Sequence, residues 1–397
     1  MNNIYRSLAD LTSDYENFAY FCKYDRNTRT KGVERLYLSN SDPVFIHERM
    51  LDPLSRIRES FMGKSCESVE TEFPVVYSYD YVDSLFPDLG ISRSDWPSVM
   101  AILPEKVIDG THERTDLMEF VPGSYPPDRD QEMKIADAIR RIRSGDLLQV
   151  VLSERFPMNE TDLFRSLDHM SRFDRSLYVF YFKFGKYSIV GSSPENLVTV
   201  RNRMVEIFPI AGTRPRGETP EEDLMLEDDL LKDGKELLEH RMLVDLARND
   251  IGKIAVAGSV KVTKSMQVQK FATVQHIVSR VEGQLGPGID MDDIVNSVFP
   301  AGTVSGAPKK RAMELINGYE NHPRGPYSGS LGIAGRNHVD LALTIRSIFS
   351  NGSETFTQAG AGIVKDSVPV NEVMEMRRKA STVFGGVGIE SSAHKQL

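Results

Sequence analysis

The chain has 397 residues, 40% of them hydrophobic and 26% charged, a balance that excludes disorder, collagen and coiled coil as descriptions of the whole. Its 48 basic and 57 acidic residues leave a net charge of -9, so there is no overall basic field to hold a nucleic-acid backbone or an anionic membrane surface. Cys22 and Cys66 are too few for a disulfide framework and form no C-x-x-C motif; both read as reduced core thiols.

Met1 to Tyr15 is polar and lacks an apolar signal core, and no run approaches the roughly 18 apolar residues of a membrane span. The expected location is the cytoplasm. Residues up to 103 read as short strands and helices without a chemical motif, with a strand over Pro74–Tyr81. A cluster of turn formers ends in Pro122, Gly123, Ser124, Tyr125, Pro126 and Pro127, and it divides the chain into 1–125 and 126–397. Met133, Ala136, Ile139 and Ile142 then recur at helical spacing, with Gly145 at the capping position. A strand follows over Gln149–Phe156. From Leu177 to Ile210 the alternation is that of a β-meander, turning at Gly185-Lys186. Glu221–Ala247 reads as one helix and Ile251–Val262 as a strand, and strands and helices then recur to Phe384. Runs of strands with helices inserted point to an α+β layered fold.

Three constellations carry chemistry. Glu236 with Glu239 and Glu372 with Glu375 are i, i+3 pairs, each on one helix face. Such faces are either solvated or, when two meet at a cleft, oxygen ligands for Mg²⁺. Glycines beside polar residues, in Ala211-Gly212-Thr213-Arg214, at Gly302-Thr303 and in Gln358-Ala359-Gly360-Ala361-Gly362, are either turns and bulges or places where main-chain N–H groups meet an anion. No phosphate-binding glycine motif is complete. Among the cations, Arg346 ends an apolar run and needs a counter-charge, from a salt bridge or from a bound carboxylate. Lys379 lies four residues after Glu375 as an ordinary helical ion pair would, and His276 sits in an apolar context as a core histidine or a site group.

In order, Gly145 to Ser153, Gly191-Ser192-Ser193-Pro194-Glu195, Pro209 to Arg214, Glu239 to Asp250, Phe299 to Lys309 and Gln358 to Val364 resemble the motifs of the chorismate-utilising enzymes, and within them those of the anthranilate synthase large-subunit type. The resemblance runs from Asp128 to Phe384; residues 1–125 match the family's N-terminal type only loosely. It implies a layered α/β/β/α sandwich of two antiparallel sheets flanked by helices, with 126–397 as the chorismate-binding catalytic domain. It also implies amination of chorismate at C2 by ammonia, loss of the C4 hydroxyl and elimination of pyruvate, the first committed step of tryptophan biosynthesis. By motif, Glu239 and Glu375 would ligate Mg²⁺, with Glu236 and Glu372 behind them. Glu195 would be the general acid, and His276 would assist pyruvate loss. Arg346, Tyr327, Gly360, Ala361 and Gly362 would clamp the enolpyruvyl carboxylate, and Gly212, Thr213 and Lys379 would meet the ring carboxylate. Water-adding relatives carry a lysine base at the position of Gln149, and aminodeoxychorismate synthases of the folate branch a lysine nucleophile at that of Ala211. Gln149 and Ala211 therefore favour amination by free ammonia over those alternatives, and the presence of every motif acid disfavours a non-catalytic chorismate-binding subunit. No Gly-x-Cys-x-Gly elbow is present, so a glutamine amidotransferase partner is expected. Two strings of the family's tryptophan feedback site are missing: no Leu-Leu-Glu-Ser precedes Pro126, and the second string is replaced by Phe173 to Tyr178.

Overall fold

In a computed structural model, described over residues 4–62, 72–114, 128–159, 161–173, 176–270 and 274–384, the strands collect into two antiparallel sheets. The first has nine strands among the described residues, in the spatial order Gly306–Ala307, Gln149–Met158, Thr355–Ile363, Ser347–Ser350, Tyr187–Ser193, Tyr178–Phe184, Asn17–Tyr24, Lys31–Ser39, Lys106–Glu113. The second runs Ile210–Pro215, Val274–Gln284, Met204–Ile207, Asn196–Arg201, His338–Leu343, Ser330–Ala334, Phe73–Tyr77, Val99–Ala101, Val44–Ile46, with Lys261–Lys270 also paired to Val274–Gln284.

Alternation along each strand sorts its side chains into layers. Ala19, Phe21, Phe180 and Phe182 of the first sheet meet Val76, Leu331, Ile333 and Ala342 of the second in one core between the sheets. Phe18, Tyr20, Leu36 and Val179 face the other way, beneath Leu167 and Met170 of the helix Leu163–Phe173. Val75, Val198, Val339 and Leu341 pack outward under Leu54 and Ile57 of the helix Pro53–Met62 and Ile294 of the helix Met291–Val298. Each fully buried aromatic or branched side chain contributes roughly 2–3 kcal/mol, and the result is the layered α/β/β/α sandwich expected. The strands of residues 17–113 extend both sheets. The division at 125/126 lies outside the described residues, as do Cys66 and the turn cluster before Pro127.

Several elements differ from the reading of the sequence. The strand expected over Pro74–Tyr81 is Phe73–Tyr77 followed by a 3-10 turn, Tyr79–Tyr81. The helix expected over 221–247 is two, Pro220–Lys232 and Gly234–Gly252, because Asp233 is extended and its carboxylate accepts the N–H groups of Lys235 and Glu236 as an N-cap. The strand expected from Ile251 begins at Lys261, after the helix runs on to Gly252 and a turn places Gly258 at φ 77°. The meander is two hairpins in different sheets, Tyr178–Phe184 with Tyr187–Ser193 and Asn196–Arg201 with Met204–Ile207. No helix among the described residues is long and apolar enough to cross a membrane.

Candidate active site

The chain passes from the first sheet to the second between Ser193 and Asn196, and back between Leu343 and Ser347. These crossovers lie side by side. The Leu343 N–H donates to the Glu195 carbonyl at 3.0 Å and the Ser192 N–H to the Arg346 carbonyl at 3.2 Å. Glu195 and Arg346, the two residues the sequence sets apart in these segments, thus sit in one seam. Arg346 holds a left-handed backbone, φ 50°, which a non-glycine residue keeps only where its surroundings impose it. Burial pushes the Glu195 carboxyl up to about 7, against the opposing pull of the Thr303 hydroxyl and the Lys379 charge.

Adjacent to this seam, Gln149 opens a strand whose neighbour carries Gly360, Ala361 and Gly362. Gln149 is buried, and its Nε2 donates to Glu239 Oε1 at 3.0 Å. Its Oε1 is buried with no protein partner, a group awaiting a donor. A Cβ on Gly362 would lie 2.7 Å from Gln149 Nε2, and one on Gly360 2.8 Å from the Tyr327 hydroxyl. Both glycines are thus required by close approach. Ala361 alternates with them, and its side chain is in the core beneath the helices, so only its main chain can serve a ligand. Burial raises the Tyr327 phenol to about 12, so it stays protonated as a donor.

The acids come from two helices. Glu236 and Glu239 lie on Gly234–Gly252, and Glu372 and Glu375 on Pro369–Phe384. Burial raises Glu239, with the charges of Glu236 and Glu375 adding to it; burial likewise raises Glu236, to which Asp233 and Glu375 add. Burial raises Glu372, and the Glu375 charge adds to it. Burial also pushes Glu375 upward, but Lys379, with Arg378 and Lys235, holds it below the ordinary value. The two pairs therefore repel one another across a common space. Lys379 Nζ lies 2.7 Å from Glu375 Oε1 and donates to the Gly360 carbonyl at 3.1 Å, which joins the helical ion pair to the glycine strand. These partly buried, mutually repelling oxygen donors fit a hard dication such as Mg²⁺. Among the described residues no three His, Cys, Asp or Glu side chains could hold a metal by themselves.

On the next wall, Gly212 is a bulge at φ 67° in the pairing of Ile210–Pro215 with Val274–Gln284. A Cβ there would lie 3.3 Å from Glu236 Oε2, which places the bulge against the acids. His276 Nδ1 lies 3.0 Å from both the Gly212 carbonyl and Thr213 Oγ1. A carbonyl only accepts, so Nδ1 carries a proton. The residues given roles by the resemblance are therefore linked to this region, Arg346 through its backbone. The sequence reading missed Glu320 and Arg324, which bind the segments together from behind; their signal was an i, i+4 acid and arginine just ahead of Tyr327.

A model of the chorismate binding enzyme family matches residues 95–385. Anthranilate synthase component 1 of Methanothermobacter marburgensis is 46% identical over 294 residues, 72% of this chain and 62% of that protein. That of Aeropyrum pernix is 39% identical over 360 residues, 84% of this chain and 82% of that protein. This chain thus spans less than two thirds of the first relative's length and more of the second's. The crystal structure of anthranilate synthase component I from Streptococcus pneumoniae TIGR4 superposes with a TM-score of 0.72 at 32% identity, covering 92% of each chain. The menaquinone-specific isochorismate synthase from Escherichia coli, at 19% identity, 97% coverage of this chain and 91% of that one, and a TM-score of 0.73, shares the fold.

Proposed function

The chain belongs to the chorismate binding enzyme family, and on that premise we propose that it is the large subunit of an anthranilate synthase. Chorismate and ammonia give anthranilate, pyruvate and water: ammonia adds at C2, the C4 hydroxyl leaves, and the C2 proton and enolpyruvyl group depart. Glu195 donates the proton that lets the hydroxyl leave as water, a role for which a carboxyl near 7 is suited. His276 would assist the loss of pyruvate by taking the C2 proton. Arg346, Tyr327 and the main chain of Gly360, Ala361 and Gly362 hold the enolpyruvyl carboxylate; Lys379, Gly212 and Thr213 hold the ring carboxylate. Glu239 and Glu375, with Glu236 and Glu372 behind them, would hold Mg²⁺, which would supply positive charge to a bound carboxylate.

The observation that carries the reading is Gln149, an amide held by Glu239 at 3.0 Å. An amide cannot take a proton from water, whereas ammonia is a nucleophile already. Ala211 offers no covalent nucleophile, which disfavours an aminodeoxychorismate synthase, and the complete acid set disfavours a non-catalytic subunit. Cys22 is fully buried, and burial pushes its thiol up to about 12, so it is no glutaminase nucleophile. A separate amidotransferase subunit would supply ammonia from glutamine, with both proteins in the cytoplasm.

The test mixes the purified chain with chorismate, Mg²⁺ and ammonium at pH 8.5, where more of the ammonium is free ammonia. Anthranilate fluorescence is expected, and glutamine in place of ammonium should give none. Accumulation of isochorismate or aminodeoxychorismate, or equal turnover with glutamine, overturns the reading.

A further inference from the structure

Arg324 is 2% exposed, its guanidinium lies 5.6 Å from the Tyr327 ring centroid, and every one of its five N–H donors is used. Nε and Nη2 donate to the two oxygens of Glu320 at 2.8 and 2.7 Å. Nη2 also donates to the Val151 carbonyl at 2.7 Å, and Nη1 to the Val304 carbonyl at 2.7 Å and Ser328 Oγ at 3.3 Å. Glu320 Oε1 in turn accepts the Ser153 N–H at 2.9 Å and its hydroxyl at 2.7 Å, and Ser153 Oγ accepts from Gln358 Nε2 at 2.8 Å.

The recipients are not scattered. Val151 is two residues from Gln149, Val304 adjoins Thr303 beside Glu195, Ser328 adjoins Tyr327, and Gln358 is two residues before Gly360. Ser328 is itself left-handed, φ 61°, and its N–H donates to the carbonyl of Thr344 at 3.1 Å, in the crossover that carries Arg346. Burying an ion pair is a poor route to stability, because desolvation offsets the attraction and apolar packing often does as well. What an apolar pair could not do is fix four chain segments at defined angles through a planar fork.

We infer that the buried Glu320–Arg324 pair is a positioning device that sets the site-bearing segments around Gln149, Thr303, Tyr327 and Gly360 against one another. The inference rests on the proposed anthranilate synthase reading for its kinetic consequence and on geometry alone for its structural one. Both residues act through the groups they hold.

Arg324→Lys keeps the charge and loses the fork, and Glu320→Gln keeps an acceptor oxygen with less disturbance should the first variant fold poorly. In each, hydrogen exchange is expected to rise together in 151–153, 302–305, 324–328 and 355–360, with Asn17–Tyr24 unchanged. With ammonium as nucleophile, kcat should fall by at least about tenfold while KM for chorismate moves less than about threefold, since small displacements of aligned groups act on the transition state. Exchange confined to 320–328, or a lowered Tm with wild-type kcat in the folded enzyme, overturns the positioning role. Wild-type chain that converts no chorismate overturns the functional reading instead, and the exchange pattern still decides this one.

Discussion

Glu195 shows how one residue couples chemistry to stability. Its carboxyl is raised from 4.5 to about 7 by burial, so the folded chain binds this proton more tightly than the unfolded chain does. The sign follows from linkage: the contribution is intact below about 4.5 and is lost as pH rises through about 7, on the order of 3 kcal/mol at about 1.4 kcal/mol per unit. Acting as the proposed proton donor, it would also give a kcat that falls on the alkaline side of about 7. Glu195→Gln cannot ionise, so it should melt above the wild type at pH 8 and near it at pH 4.5, while kcat falls by about 10²- to 10⁴-fold and KM for chorismate stays within about threefold. Calorimetry at the two pH values and steady-state kinetics check both halves, and a near-normal kcat removes Glu195 from the mechanism. The acid pairs of the two helices make a different demand. Glu239→Gln and Glu375→Gln each remove one hard anionic donor, so activity should collapse with circular dichroism unchanged, and the heat of Mg²⁺ binding in titration calorimetry should vanish. Full activity of the wild type in excess EDTA would contradict that assignment.

At the scale of elements, the site is made by strands that come too close for side chains and by crossovers that change sheets. Gly362→Ala would put a Cβ 2.7 Å from Gln149 Nε2 and push the amide off Glu239, at about 1–3 kcal/mol of overpacking and with a kcat loss of tenfold or more. Gly318 in the helix Lys309–Tyr319 has nothing within 4 Å of its Cβ position, so Gly318→Ala should raise stability by about 0.5–1 kcal/mol and leave kcat alone. Equal kcat in the two variants would deny Gly362 its role. The acids, the Ser-Pro-Glu string and the glycine strand were legible in the sequence because each is a compact motif with its chemistry in the residue types. The crossovers were not, since a period of two sorts residues to faces without saying which sheet a strand joins, and Asn196–Arg201 alternates as Tyr187–Ser193 does. The break at Asp233 was hidden because good helix formers flank it on both sides, and only the Asp-Gly step betrays the cap. Glu320 and Arg324 escaped because an ion pair gains meaning from its recipients, which lie up to 173 positions away in the chain.

For the molecule as a whole, the first third is woven into the layers that hold the site. Residues 17–113 supply three strands to each sheet; Asn17–Tyr24 pairs with Tyr178–Phe184, and Phe73–Tyr77 pairs with Ser330–Ala334. Lys23 of the first sheet is ion-paired with Asp340 of the second, and the Tyr178 hydroxyl donates to the same carboxylate at 2.8 Å. Asp340→Ala would strand a largely buried ammonium and should cost about 3–5 kcal/mol. Residues 126–397 expressed alone would leave Tyr178–Phe184 and Ser330–Ala334 as long apolar edges, which invite intermolecular pairing, so that fragment is expected to aggregate rather than fold. Trp96, the single tryptophan, is 1% exposed in the core between the sheets. Its fluorescence follows the first third, whereas far-ultraviolet circular dichroism follows the whole chain. If both sheets are cooperative units built from both parts of the chain, the two probes should trace one urea transition with the same midpoint. A tryptophan transition at lower urea, with the remaining dichroism persisting to a second midpoint, would show that the first third comes away by itself and that 126–397 folds without it.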